Sequence, residues 1–279
     1  MWSDGVVRSV EQALDVSELR RVAVTVATEA AELVRRVREE AVTEVDTKSS
    51  ETDVVTAGDR AAERLIRARL AELRPDDAVL GEEEGGATAT AAGLCWVVDP
   101  IDGTVNYLYG YPWYAVSVAL WLDGEPFAGA VVEPVSGRVW SAARGHGAEL
   151  DGHPLRVSAA RRLDLALVGT GFSYSAQRRN RQARVVDGLL GRVRDLRRAG
   201  SAALDLCGVA AGWLDAYYEH GLSPWDWAAG ALVAREAGAV VRLPTADPAD
   251  GLGEATVAAA PGIADELLVT LREIGIADV

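Results

Sequence analysis

Two aspartates that follow a short apolar run could bind a divalent cation. Residues 95–98 favour a buried strand, and a proline and a glycine then force the chain to turn. Asp99 and Asp102 therefore lie at the carboxyl end of a strand, with the carbonyl group of Ile101 between them. Oxygen ligands of this kind suit hard cations such as Mg2+. A surface turn without a function is the alternative, because aspartate and glycine are common in turns.

The same turn also offers backbone N–H groups. If a helix begins here, the amides of Gly103 and Thr104 have no partner within the helix and can bind a phosphate. Residues 95–106 therefore predict a strand, a metal site and a helix start, in that order.

Three separated motifs resemble those of the inositol monophosphatase family, most closely its bacterial inositol-1-monophosphatases. They are DPIDGT at residues 99–104, GEE at 81–83 and WDWAAG at 225–230. The resemblance implies an α/β (α+β) fold, a layered α-β-α-β-α sandwich of the inositol monophosphatase and fructose-1,6-bisphosphatase type. It also implies an N-terminal extension at residues 1–16 and a catalytic domain at 17–279, with halves at about 17–157 and 158–279.

The resemblance further implies a site for two to three Mg2+ ions. Glu82, Asp99 and the Ile101 carbonyl would bind one ion. Asp99, Asp102 and Asp226 would bind a second, and a third, weaker ion would lie near Glu82. From the residues alone, Asp226 could equally be a helix N-cap, and the glutamates beside Glu82 could be solvated.

Catalytic and substrate-binding residues are implied in the same way. Thr104, hydrogen-bonded to Asp59, would position the attacking water, and Glu82 would take part through its ion. Asp59 could instead be a first-turn acid that only complements the helix dipole. The residues that would contact the substrate are Asp102, Gly103, Thr104, Ser201, Ala202 and Glu219.

Each of two further residues could have either a functional or a purely structural role. Lys48, the only lysine of the chain, would lie near the site by the resemblance, and a solvated loop lysine is the alternative. His220 follows Glu219 and is a weaker candidate for substrate contact.

Hydrophobic periodicity predicts the elements that must position these residues. Turn pairs at 123–124, 136–137 and 151–152 predict an antiparallel meander between residues 114 and 157, and residues 43–56 a loop or hairpin. Further strands are predicted at 78–81, 165–170, 215–219 and 256–260. Helices are predicted at 17–40 with Ser17 as N-cap, from 56 to before Pro75, and at 177–194, 200–211, 226–238 and 261–274.

Composition narrows the class of protein. The formal net charge of −14 makes nucleic acid an unlikely main partner, since phosphate backbones bind basic faces. The two cysteines lack metal-ligand spacing and fit a reducing compartment. No apolar run approaches the roughly 20 residues of a membrane span. We therefore expect a cytoplasmic protein, and the resemblance implies a homodimer.

The residues and the resemblance together predict a Mg2+-dependent, lithium-sensitive phosphatase that hydrolyses inositol 1-phosphate by metal-activated water attack. A phosphatase for histidinol phosphate or another small sugar phosphate is the alternative. Histidinol-phosphate relatives often carry a basic residue where this chain has Val105, which favours inositol phosphate. A regulatory macromolecule-binding protein is the alternative of another class. It would use the arginine-rich helix at 177–194, for which a solvated face is the simpler reading.

Overall fold

The computed structural model describes residues 15–40, 45–47, 54–86, 93–244 and 250–279. Its first strands, β1 (Val45–Thr47) and β2 (Val54–Thr56), pair antiparallel. For the described residues of the segment 43–56, this pairing agrees with the hairpin alternative of the prediction. Lys48 lies outside the described residues, so its role stays a prediction.

A seven-stranded sheet carries the aspartate motif. Its strands lie side by side in chain order, and each pair from β4 to β9 is antiparallel, whereas β3 is parallel to β4. The meander predicted from the turn pairs is thereby confirmed. The strands are β3 (Ala78–Gly81), β4 (Leu94–Asp102), β5 (Ala115–Leu122), β6 (Glu125–Val132), β7 (Val139–Ala143), β8 (Ala148–Leu150) and β9 (His153–Pro154).

Two long helices cover one face of this sheet. They are α1 (Val16–Glu40) and α2 (Ala57–Leu73), and their apolar stripes are buried against β4 to β7. The predicted N-cap Ser17 is wrong, because the carboxylate of Asp15 accepts the Glu18 amide at 3.0 Å and α1 already begins at Val16. A short helix, α3 (Thr104–Tyr109), follows β4 directly, as the glycine turn predicts.

A five-stranded sheet is formed by strands between residues 167 and 259. Its spatial order is β11-β10-β12-β14-β13, with β10 parallel to both neighbours and β14 antiparallel to both. The strands are β10 (Leu167–Thr170), β11 (Asp195–Arg197), β12 (Ala216–His220), β13 (Val240–Arg242) and β14 (Ala255–Ala259).

Four helices complete the layers of the described chain. Helices α4 (Ala176–Leu190) and α7 (Pro261–Glu273) are buried against the outer face of the five-stranded sheet. Helices α5 (Ala202–Ala210) and α6 (Pro224–Glu236) fill the space between the two sheets. The order of layers is helix, sheet, helix, sheet, helix, which confirms the expected sandwich.

Several element boundaries differ from the sequence prediction. Helix α4 stops at Leu190 because Gly191 is its C-cap, and the residues predicted to continue it lead into β11. A 3-10 turn at Leu163–Leu165 delays β10 until Leu167. Strands β11 and β13 were not predicted, because three residues are too few to show alternation.

Gly230 allows α5 and α6 to pack closely. A Cβ atom at Gly230 would lie 2.9 Å from the Leu206 Cβ and 3.0 Å from the Ala203 carbonyl oxygen. Gly208, in the interior of α5, is different, because a Cβ there would meet the Leu214 Cδ1 at an ordinary 3.4 Å. The glycine of the WDWAAG motif is therefore required by helix packing.

We expect Gly230→Ala to be less stable than Gly208→Ala by about 1–3 kcal/mol in urea unfolding. Alanine gains about 1 kcal/mol of helix propensity over glycine at both positions. Only at position 230 is this gain opposed by overpacking, which costs about 1–3 kcal/mol. Equal unfolding free energies for the two variants would contradict the close-packing explanation.

Candidate functional site

Three aspartates converge between the sheets; Asp99 and Asp102 are buried, and Asp226 is half-buried. Each of Asp99, Asp102 and Asp226 offers a carboxylate oxygen, and these oxygens lie within 4.8 Å of one another. Asp99 and Asp102 come from the end of β4, whereas Asp226 comes from the first turn of α6. Such a set of oxygen donors is suited to a divalent metal ion.

The end of β4 is shaped to aim its two aspartates. The pairing of β4 with β5 shifts register between Asp99 and Asp102, where Pro100 has no N–H group to donate. The Asp99 carboxylate turns back to accept the Ile101 amide at 2.9 Å. The bulge therefore gives the two carboxylates orientations that a regular strand would not allow.

Asp102 also contacts the amino end of α5. Its Oδ2 accepts the Ser201 hydroxyl at 2.5 Å and the Ala203 amide at 2.7 Å, and its Oδ1 accepts the Ala202 amide at 3.3 Å. Ser201 is the N-cap of α5 and also accepts the Leu204 amide. Ser201 and Ala202, which are predicted to contact substrate, therefore lie beside the converging aspartates.

Asp226 is held in a capping box. Its Oδ2 accepts the Ser223 amide at 2.6 Å, and Ser223, not Asp226, is the N-cap of α6. The alternative prediction that Asp226 is the helix N-cap is therefore wrong, because the N-cap lies three residues earlier. The helix contains Asp226 as its third residue, where an acidic side chain can bond back to the cap and remain near the other aspartates.

The raised pKa values of the three aspartates indicate that their ionised forms need a positive charge nearby. Burial, followed by the charge of Glu82, raises the pKa of Asp99 well above its ordinary value. Burial raises the pKa of Asp102 to about 6, although bonds from Ser201 and two amides act in the opposite direction. Burial and then Asp102 raise the pKa of Asp226. A bound cation would reverse this repulsion.

Glu82 lies at the edge of this cluster. It is half-buried in the turn after β3 and is not part of the group of oxygens within 4.8 Å. Its charge nevertheless raises the pKa of Asp99, Asp102 and Asp226. Glu84 is exposed, as expected.

Asp59 and Thr104 flank the aspartates but differ from the predicted pair. Asp59 is fully buried in the first turn of α2, and its charge raises the pKa of Asp99. The Thr104 hydroxyl donates to the Ile101 carbonyl at 3.1 Å instead of to Asp59. This follows from its place as the first residue of α3, directly over the carbonyl three residues before it.

Gly103 requires the left-handed backbone conformation that starts α3. Its φ is 95°, and a Cβ there would meet the Gly200 carbonyl oxygen at 3.1 Å. The amides of Gly103 and Thr104 therefore lie at the start of a helix beside the aspartates, and their contact with phosphate stays a prediction.

Glu219, a predicted substrate residue, lies near enough to Asp102 to be affected by its charge. It lies on β12, and its Oε2 accepts the Tyr217 hydroxyl at 2.5 Å. Burial raises the pKa of Glu219 to about 7; the Tyr217 bond opposes this shift, and the charge of Asp102 adds to it. A Cβ at Gly171 would lie 1.8 Å from Glu219 Oε2, so this glycine leaves room for the carboxylate.

The profile of the inositol monophosphatase family matches residues 15–277 of the chain. The chain belongs to this family. An inositol-1-monophosphatase from Mycobacterium leprae (strain TN) is 54% identical over 275 residues, covering 92% of this chain and 94% of that protein. The Nus factor SuhB of Escherichia coli (strain K12) is 39% identical over 222 residues, covering 79% and 83%. The solved structure of Mycobacterium tuberculosis SuhB matches with a TM-score of 0.80 and 48% identity, covering 93% and 98%.

Three polar residues of this inositol monophosphatase fold were missed from sequence. Glu63 is fully buried one turn after Asp59, and this spacing of four was an available signal. The Asn106 side-chain amide donates to the Trp113 and Ala199 carbonyls at 2.6 and 2.8 Å. Asp205 is buried one turn after Ser201, and burial, then Glu219, raises its pKa.

His220 is not brought to the aspartates. Successive strand residues face opposite sides of a sheet, so His220 faces away from Glu219. Its Nε2 accepts the Glu254 amide at 3.2 Å, and burial lowers its pKa. The structure therefore favours a core role for this histidine. No helix in the described part of the chain is both long and apolar enough to cross a bilayer.

Proposed function

We propose that the protein is a Mg2+-dependent phosphomonoesterase that hydrolyses inositol 1-phosphate to inositol and phosphate. The observation that carries the proposal is the convergence of carboxylate oxygens of Asp99, Asp102 and Asp226 within 4.8 Å of one another, with Asp99 and Asp102 buried and Asp226 half-buried. The name of the Mycobacterium leprae relative supports the substrate.

The donor set fits Mg2+ because every candidate ligand is an oxygen. Asp99, Asp102 and Asp226 would hold the ions together with Glu82 and the carbonyl of Ile101. When bound, two to three ions of this kind would neutralise phosphate oxygens and lower the pKa of water.

The residues around the ions would bind and orient the reactants. The amides of Gly103 and Thr104 would donate to the phosphate oxygens at the start of α3. Asp59 would accept a proton of the attacking water, and the Thr104 hydroxyl would exchange its bond to Ile101 for one to that water. Positioning of this kind supplies much of the rate in phosphoryl transfer.

The wall formed by Ser201, Ala202 and Glu219 would bind the alcohol. Because the Tyr217 hydroxyl bonds to one Glu219 oxygen, the carboxylate is fixed in place and can accept a substrate hydroxyl. A polyol such as inositol fits this acceptor. A cationic amino alcohol such as histidinol phosphate is the alternative, and Val105 favours the polyol.

Turnover of a panel of phosphate monoesters in Mg2+ tests the proposal. We expect inositol 1-phosphate to give the highest kcat/KM, with histidinol phosphate and fructose 1,6-bisphosphate lower and added Li+ inhibitory. A higher kcat/KM for histidinol phosphate would make that ester the preferred substrate instead. If no ester released phosphate in the presence of Mg2+, the proposed phosphatase function would be contradicted.

Glu219→Gln should raise the KM for inositol 1-phosphate about 10-fold, because a hydrogen bond to a charged group is worth about 1.5–3 kcal/mol. The KM for p-nitrophenyl phosphate, which has no hydroxyl groups, should remain unchanged in the same variant. An equal rise for both esters would place Glu219 outside the alcohol-binding wall.

A regulatory role is the second candidate, supported by the name of the Escherichia coli relative. The arginines of α4 give it little support, since Arg178 pairs with Glu254, Arg179 bonds to two carbonyl groups and Arg181 bonds to the Val279 carbonyl. A partner captured equally well by wild type and Asp99→Asn would favour this candidate.

We further propose a cytoplasmic homodimer with its catalytic domain at residues 17–279. The two cysteines, Cys95 and Cys207, are buried free thiols, which fits a reducing compartment. The dimer follows from the family resemblance, and analytical ultracentrifugation tests it.

A further inference from the structure

Glu63 is a buried carboxylate that binds the backbone of the turn containing Glu82. It is fully buried in the second turn of α2. Its Oε2 accepts the Glu83 amide at 2.7 Å, and its Oε1 accepts the Glu84 amide at 3.0 Å. The contacts therefore fix the main chain that directly follows Glu82.

Arg67, one helical turn later, holds the other side of the same turn. Its Nε donates to Glu63 Oε1 at 2.9 Å, and its guanidinium also donates to the carbonyls of Gly85 and Val79. It forms a further ion pair with Glu84 at 3.5 Å. The charge of the buried Glu63 is thereby matched, which a buried carboxylate requires.

Gly81 makes room for this arrangement. A Cβ at Gly81 would lie 2.2 Å from Glu63 Oε1, and the Gly81 amide donates to the Gly85 carbonyl at 3.0 Å, which closes the turn. The glycine of the GEE motif is therefore explained by the buried carboxylate beside it.

Glu82 needs this support because of its own electrostatics. Glu82 and the three aspartates carry like charges, so an unsupported turn would lower its energy by moving Glu82 away from the aspartates. Apart from the bond between them, the contacts of Glu63 and Arg67 with this turn are to its backbone or to Glu84, and they oppose this movement. Helix α2 also carries Asp59 one turn before Glu63, so one helix sets the positions of both acids.

We propose that Glu63 and Arg67 form a backbone clamp that positions Glu82 to bind a divalent cation. The clamp rests on the proposed function, because that function makes Glu82 a cation ligand. Glu63 and Arg67 are positioning residues, since they act on the cation through the turn. Groups that orient metal ligands typically change metal affinity by about 10–100-fold when they are removed.

Mn2+ binding to the full chain, followed by the electron paramagnetic resonance signal of free Mn2+, tests the clamp without turnover. We expect Glu63→Gln to weaken Mn2+ binding about 10-fold. Glu82→Gln should also weaken it, and the double variant should bind no more weakly than Glu82→Gln alone, because both changes act through one side chain.

Glu236→Gln is the matched control. The Glu236 carboxylate accepts the amides of Gly145 and Gly147, both at 2.9 Å, so it holds a turn as Glu63 does. It lies ten residues after Asp226, about 15 Å along α6. We expect this variant to lose thermal stability while its Mn2+ affinity stays that of the wild type.

The outcomes separate the clamp from the proposed function. Wild-type Mn2+ affinity in Glu63→Gln, or additive losses in the double variant, would overturn the clamp. Unchanged Mn2+ affinity in Glu82→Gln would remove Glu82 from the cation site and overturn the clamp as well, whereas no Mn2+ binding by the wild type would contradict the proposed function. If Glu63→Gln does not fold, Arg67→Lys replaces it, with an expected loss of about 10-fold, and unchanged affinity there would overturn the clamp as well.

Discussion

Asparagine in place of Asp99 is expected to lower kcat for inositol 1-phosphate by about 10³-fold, which corresponds to about 4 kcal/mol of transition-state stabilisation. Asp99 is the aspartate that would contact both principal ions, and it is buried beside Asp102 and Asp226. The asparagine side chain would keep the shape of the aspartate and the hydrogen bond from the Ile101 backbone amide, but it would remove the negative charge.

The same variant is expected to unfold at a higher urea concentration than the wild type when metal is absent. Burial and four neighbouring acids raise the pKa of Asp99, so its ionised form destabilises the folded state. Activity and stability should therefore change in opposite directions.

Asp215→Asn is the matched control for this experiment. Asp215 accepts the Leu167 amide at 2.8 Å and the Ser158 hydroxyl at 2.6 Å, and it holds backbone of the second half. Its replacement should lower the unfolding free energy by about 1–2 kcal/mol and leave kcat unchanged. Wild-type turnover in Asp99→Asn would contradict the proposed mechanism.

The stability of the metal-free protein should fall as the pH rises from about 4 to about 7. Asp102 has a folded-state pKa of about 6 against an ordinary value of 3.8, and Glu219 one of about 7 against 4.5. The folded state therefore binds more protons than the unfolded state in this window, so deprotonation favours unfolding. A shift of two pKa units corresponds to about 3 kcal/mol.

Urea unfolding across this pH range, with EDTA or with Mg2+, measures the effect. Mg2+ should raise the unfolding free energy most at the upper end, where the carboxylates are ionised. Glu219→Gln should flatten the part of the metal-free profile between about pH 6 and 7. A metal-free stability that does not change between pH 4 and 7 would contradict the described burial of these acids.

The aspartate turn could be predicted from the sequence because neighbouring residues determine it. An apolar run, a proline and a glycine were enough to place Asp99 and Asp102 at a strand end. Asp226 is separated from Asp102 by more than a hundred residues, so only the family resemblance could bring the two together. The structure agrees with that convergence.

The missed features depend on tertiary contacts. Helical spacing puts Glu63 on the same face as Asp59, but its partners are backbone amides of a turn twenty residues away. The Thr104 hydroxyl bonds to Ile101 because the irregular end of β4 and the start of α3 place it over that carbonyl group. Neither outcome follows from residue types alone.

Asn106 ties together two remote stretches of backbone, since its one side-chain amide bonds to carbonyls at Trp113 and Ala199. Asp102 on the first half and the start of α5 on the second meet at the same place. Two polypeptides divided between residues 157 and 158 would each hold an incomplete set of ligands. Because such fragments would also share the apolar core around α5 and α6, divalent ions should strengthen their association and a chelator should weaken it without abolishing it.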